Sequence, residues 1–299
     1  MPLRTRTAPL FAGIVAVAAL ALTGCAGGAS GAASIGSAEN KAAADQVVSV
    51  ESFAPTNGAL SGGTTVTVEG SGFADDENAV ASVSFGDTPA ASYEVEGDGS
   101  LTAVTDASYN FAAQAVPVTV TLADGSTVST TQGFSYEVQT PVDAQMAYAF
   151  AHWQDYNLAE WGEFPDNDCG NFVNQAMLQR GWEQNADWYS DYATTGDYSY
   201  SWIRGNQMDA YYASRPDTTR YDFDDRSQLK IGDVVMFDWD PQNDNGVDHT
   251  MIISKVSVGT DGGIDIAMVG HTLDATYRDL DNAVTVEKPG GTAHFWSIA

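Results

Sequence analysis

One cysteine in this chain stands where a thiolate nucleophile would be made. In Asn167-Asp168-Cys169-Gly170-Asn171-Phe172-Val173-Asn174-Gln175-Ala176-Met177-Leu178-Gln179-Arg180-Gly181, the residues Phe172, Val173, Ala176, Met177 and the stem of Arg180 fall on one helical stripe. Asp168 is a good N-cap and Gly181 a good stop, so Cys169 takes the first helical turn. Unpaired amides and the helix dipole at that turn favour the thiolate, the form that attacks a carbonyl carbon. A merely structural cysteine would fit better on the apolar stripe. The Cys169 amide would also face a developing oxyanion, with the Asp168 backbone, Asn167 or Tyr156 as candidate second donors.

Such a nucleophile wants an imidazole, and the chain has four histidines. The stretch 143–153 places Met146, Ala149, Phe150 and Trp153 at helical spacing, which leaves His152 off the apolar face as a surface or edge residue. Val234 to Trp239, Asp248 to Ile253 and Ile264 to His271 read as consecutive strands. Taking Thr260 as the centre of the turn Gly259-Thr260-Asp261-Gly262-Gly263 sets His249 opposite His271. Cross-strand partners have Cβ atoms roughly 5 Å apart, which suits a hydrogen bond between the two rings. A one-residue slip would put them on opposite faces, and Asp274 is then the other candidate to orient His249. His294, in the closing strand, reads as structural.

Asp238, Asp240, Asp244 and Asn245 superficially suggest a calcium loop, but Gly246 misses the sixth position of an EF-hand, so no metal and no cofactor is expected. The aromatic stretch of Trp182, Trp188, Tyr189, Tyr192, Tyr198, Tyr200 and Trp202 could line a cleft, though core packing is its commoner use.

Upstream the texture changes. Val47 to about residue 138 holds short β-branched runs broken by Gly, Asp and Asn, which reads as an all-β sandwich. Residues 25–46 are rich in Gly, Ala and Ser and read as a flexible tether. Residues 1–24 carry Arg4 and Arg6, an apolar run from Leu10 to Leu22 and small residues, the order of an export signal. The chain has 40 acidic and 12 basic residues, a net charge of −28, which argues against nucleic acid as a partner.

Several of these segments resemble known families. Leu22-Thr23-Gly24-Cys25 resembles the bacterial lipobox, which implies lipidation at Cys25, extracytoplasmic anchoring at the cell membrane, and Cys169 as the only free thiol of the mature protein. Pro55, Gly58, Gly62-Gly63-Thr64, Gly70-Ser71-Gly72-Phe73, Phe85-Gly86 and Phe134-Ser135-Tyr136 resemble the IPT/TIG immunoglobulin-like family, which implies a spacer or contact surface over 47–138.

Asp168-Cys169-Gly170-Asn171-Phe172-Val173-Asn174-Gln175 resembles the Asp-Cys-x-Asn-Phe-x-Ser-Gln signature of an amidase domain family within the papain-like (NlpC-like and CHAP-like) cysteine peptidases. Gly232-Asp233-Val234-Val235, Asp248-His249 and Gly270-His271-Thr272 follow in that family's order. The resemblance implies an α+β papain-like domain over 141–299, with Cys169 as nucleophile, His249 as general base and then acid, and His271 as its orienting residue. Asn174 replaces a Ser of many relatives, a matter of helix packing. The expected activity is hydrolysis of amide bonds through a thioester, with cell-wall peptides as substrate. The alternatives are a silent binding or adhesion lipoprotein and a transglutaminase-type acyl transferase. The oligomeric state is open.

Overall fold

A computed structural model describes residues 48–74, 79–259 and 262–299. The export signal, Cys25 and the tether lie outside the described residues.

The first domain contains β1 (Ser49–Ala54), β2 (Asn57–Ala59), β3 (Thr65–Ser71), β4 (Val80–Phe85), β5 (Thr88–Pro89), β6 (Ser92–Gly97), β7 (Ser100–Val104), β8 (Gln114–Leu122) and β9 (Thr127–Glu137). Two sheets form, ordered β1-β3-β7-β6 and β2-β9-β8-β4-β5. Alternation in the sequence sets which side chains point inward: Val66 and Val68 of β3, Leu101 of β7, Val118 and Val120 of β8 and Phe134 of β9 are all buried. This is the sandwich that an IPT/TIG resemblance implies.

The second domain begins at once. Thr140 caps α1 (Pro141–His152), accepting the Asp143 N–H while Asp143 accepts the Thr140 N–H, a complete capping box with Pro at the first turn. Then come α2 (Leu158–Trp161), α3 (Cys169–Gln179), β10 (Ser190–Asp191), α4 (Tyr192–Thr195), β11 (Asp197–Tyr198), α5 (Tyr200–Ile203) and α6 (Gly205–Ser214). The main sheet follows, from β12 (Thr218–Tyr221), β13 (Val234–Asp238), β14 (His249–Val258), β15 (Ile264–Gly270) and β16 (Ala275–Asp279), through α7 (Leu280–Asn282), to β17 (Thr292–Ile298). Its order is β12-β17-β13-β14-β15-β16, and its pairings are antiparallel. Helices gathered before an antiparallel sheet make this a mixed domain of the α+β kind.

Two joints hold α3 in place. Arg180, just past its end, is buried and donates to Gln145 Oε1 at 2.7 Å and to the Ile298 carbonyl at 2.9 Å. Gly232 lies beneath that joint with φ +88°, and a Cβ there would meet Arg180 Nη1 and Gln145 Oε1 at 2.7 Å. The Gly232-Asp233 pair is therefore structural: Asp233 is fully buried and accepts the N–H of Lys230 and of Ile298.

The β14–β15 hairpin departs from the count made on the sequence. Val258 pairs with Ile264, so the turn centres one residue later than Thr260, and a bulge at Ser254 shifts the pairing again to Ile253 opposite Met268 and Ile252 opposite Val269. The pairing ends at Ile252 opposite Val269, and His271 lies in the turn beyond β15, so no strand register sets it opposite His249. The expected hydrogen bond between His249 and His271 is not made, because both His271 ring nitrogens are bonded elsewhere.

Candidate active site

Cys169 opens α3, and its thiol is buried with 6% of the residue exposed. It accepts the backbone N–H of Thr250, the residue after His249, along with those of Gly170 and its own residue. The start of β14 is thereby brought against the first turn of α3, and Cys169 and His249 share one corner of the domain.

Burial outweighs those three amides and pushes the Cys169 thiol up from its ordinary value. The reactive thiolate expected from the helix start is accordingly not the resting form. His249 is driven the opposite way, down to about 3, first by burial and then by the cations Arg278 and Lys288. The pair rests as neutral thiol and neutral imidazole. His249 is held by flat packing against Trp239 (centroids 5.9 Å) and Phe237 (6.0 Å), and its Nε2 is buried without a hydrogen-bond partner.

His271 does other work. Its Nδ1 meets Asp168 Oδ2 at 2.6 Å and its Nε2 meets the His152 carbonyl at 2.8 Å. Both partners are acceptors, so the ring is clamped between a carboxylate and a backbone carbonyl. Tyr156 stacks on it at 3.7 Å and Phe172 packs against it at 4.2 Å. Asp274, the other candidate to orient His249, accepts the Tyr156 hydroxyl at 2.6 Å. Tyr156 is thus committed elsewhere, and the Asp168 N–H is spent on Thr272 Oγ1 at 3.0 Å, which removes two candidate oxyanion donors. His294 bonds Asp209 at 2.7 Å, and His152 bonds the Asp155 carbonyl at 2.8 Å, both away from the thiol's partners.

Asp168 does not cap α3 with its side chain. Its Oδ1 instead accepts from the Phe164 N–H and from Asn171 Nδ2, each at 2.9 Å. Asn171 in turn accepts the indole N–H of Trp202 at 2.8 Å, and Asn174 donates to the Trp202 carbonyl at 2.8 Å. Gln175 accepts the Tyr148 hydroxyl at 2.7 Å. The signature's polar residues are a frame around the thiol, and Asn174 serves helix packing as expected. The three tryptophans of the aromatic stretch are core, whereas Tyr189, Tyr192 and Tyr198 are half-buried and Tyr200 is exposed.

The sequence reading missed Thr250, whose contribution is a backbone amide, and the cations Arg278 and Lys288. With Trp239, Asp248, Thr272 and Leu273 these two line a cavity of about 180 Å3 beside His249. A larger cavity, about 460 Å3, lies by Asp209 and His294 and holds no nucleophile. Asp238, Asp240 and Asp248 bring carboxylate oxygens within 4.8 Å of one another, a possible cation cluster formed with a residue outside the four weighed from the sequence.

The family described as "Putative amidase domain" matches residues 140–296 and the family described as "IPT/TIG domain" matches residues 49–136. No curated protein matches the chain. Among solved structures, the extracellular region of plexin A4 is similar at 17% identity and TM-score 0.26, over 31% of this chain and 11% of that one. A protein of unknown function from Bacteroides thetaiotaomicron is similar at 27% identity and TM-score 0.25, over 31% of this chain and 22% of that one. The matched part is thus a tenth to a fifth of those chains, and neither likeness bears on function.

Proposed function

From the premise that the chain belongs to the Putative amidase domain family, we propose that it is a cysteine amidase of papain-like type, with Cys169 as nucleophile and His249 as general base. The observation that carries this is the thiol at the first turn of α3, held by the amide of Thr250, the residue that follows the buried, neutral His249. A neutral imidazole is the form able to accept the thiol proton. Cys169 Sγ bonds to the scissile carbonyl carbon while its proton passes to His249. The imidazolium then protonates the leaving amine as the C–N bond breaks, and water, deprotonated by His249, hydrolyses the thioester.

His271 enters as a positioning residue: it fixes Asp168, and Asp168 fixes Asn171 and the loop that presents Cys169. Arg4, Arg6, the apolar run and Cys25 support an enzyme lipid-anchored on the outer face of the cytoplasmic membrane. The sandwich would serve as a spacer there, and cell-wall peptides are the amides such an anchor brings within reach.

The test is mass spectrometry of purified wall peptides incubated with the chain and with Cys169→Ala and His249→Ala variants. Cleavage by the parent alone is expected, the variants falling by about 10³-fold or more. Cleavage that survives Cys169→Ala overturns the cysteine mechanism. Products carrying an added amine in place of water would make the enzyme an acyl transferase.

A further inference from the structure

We infer that Lys288 and Arg278 form a carboxylate-binding subsite beside His249, so that the enzyme selects amide substrates bearing a free carboxylate within one residue of the scissile bond. The inference rests on the cysteine amidase reading for its link to turnover, and on geometry for the site itself.

The distribution of positive charge is the first support. Only 12 Lys and Arg stand against 40 acidic residues, and none lies between Lys41 and Arg180. Several described cations are spent within the fold: Arg215 pairs with Asp217, Arg220 with Asp222, Arg226 with Asp281 and Lys230 with Asp233. Two others, Arg278, which also pairs with Glu287, and Lys288, converge on the small cavity that His249 lines. A chain this acidic repels an anionic substrate at long range, so local cations there have a use that general solubility does not supply.

The two cations differ in mobility. Arg278 is anchored: Glu287 takes Nη2, the Met251 sulfur lies 3.8 Å from Nη1, and only 8% of its side chain is exposed. Lys288 is exposed and forms no ion pair among the described residues. A fixed guanidinium with donors to spare and a free ammonium on a flexible stem make a clamp for one carboxylate.

Of the acidic groups nearby, Asp248 and Glu287 are engaged in hydrogen bonds. Asp248 accepts from the Trp239 N–H and from Asn245, and Glu287 accepts from Arg278 and Asn282. Neither neutralises Lys288. Burial is what chiefly keeps the His249 ring neutral, and both cations add to it. An anion between them would offset that field and make the imidazole a better proton acceptor when substrate is present.

Two measurements on the full chain decide the matter. The first compares kcat/KM on acetylated peptides that carry Glu or Gln next to the scissile amide. The Glu peptide should be favoured by about tenfold, chiefly through KM; Lys288→Ala should abolish the preference and Lys288→Arg restore it. Equal rates in the parent, or a preference untouched by Lys288→Ala, overturn the subsite. The second needs no turnover: in Cys169→Ala with isotope-labelled histidine, N-acetylglutamate should shift the His249 ring signals, N-acetylglutamine should not, and Lys288→Ala should erase the response. An acid-specific shift with no peptide cleaved by the parent leaves the anion site standing and overturns the amidase reading. The absence of any acid-specific shift overturns the site whatever the turnover.

Discussion

At the scale of single residues, Cys169 is pulled in two directions. The N–H groups of Thr250, Gly170 and Cys169 itself favour a negative sulfur, while removal from water disfavours it, and burial is the larger effect. His249, the proposed proton acceptor, is buried, and two nearby cations add to that burial in opposing a positive charge on its ring. An ion pair is therefore disfavoured from both ends until substrate arrives. Alkylation follows the thiolate, and each unit by which the thiol is raised cuts the thiolate about tenfold at a given pH below it. Iodoacetamide labelling of Cys169, followed by mass spectrometry of its peptide, should be slow at neutral pH, with a midpoint above the ordinary 9.0. A midpoint of about 6, within the range of paired catalytic thiolates, would show that the ion pair is preformed.

The next scale is that of helices and strands. The first turn of α3 runs so close to α5 that a Cβ on Gly170 would lie 3.0 Å from the Trp202 carbonyl oxygen and 3.1 Å from Ile203 Cα. Backbone cannot yield there as a side-chain tip can, so α3 or α5 must move. Gly170→Ala should cost about 1–3 kcal/mol, read as a lower denaturation midpoint, and should impair turnover beyond that loss because the thiol sits on the displaced turn. Unchanged stability and rate would show that this contact is slack.

How far these elements could be read in advance depended on the kind of signal. The apolar stripe of Phe172, Val173, Ala176 and Met177 defines α3, and all four are buried. The short β-branched runs likewise marked the first domain as a sandwich of strands. Register was harder, because it is set by turn geometry and by the Ser254 bulge, neither of which leaves a mark in residue types. The pairing also ends before His271, which lies in the turn beyond β15 and bonds Asp168 rather than His249. The Thr250 amide was invisible for a related reason: any residue type supplies a backbone N–H. Lys288 and Arg278 lie beyond the matched motifs, and only folding brings them beside His249.

For the molecule as a whole, the question is whether the sandwich is a passive spacer. It supplies no catalytic group, which from sequence makes it separable. Its contacts with the second domain are nevertheless built. Asp143, fully buried in α1, accepts the Ser61 N–H across the junction at 2.7 Å, with the Gln139 and Thr140 N–H groups on its other oxygen. Phe111 of the sandwich packs on Phe150 of α1 at 4.9 Å, and Phe150 meets Tyr277 at 5.3 Å. One continuous apolar core runs through both domains. Cutting the chain before Gln139 would uncover Phe150 and remove one donor from Asp143, a loss of about 2–3 kcal/mol from aromatic burial and one charged hydrogen bond. For a domain of this size that corresponds to a fall of about 4–12 °C in Tm. Melting of 139–299 against 48–299 is the measurement, with labelling of Cys169 after each melt to report whether the site re-forms. If the isolated domain melts at the temperature of the longer chain, the junction contributes nothing and the sandwich is only a spacer. The expected fall would instead make the first domain part of what holds α1, and through the His152 carbonyl the His271 and Asp168 pair, in register with the thiol.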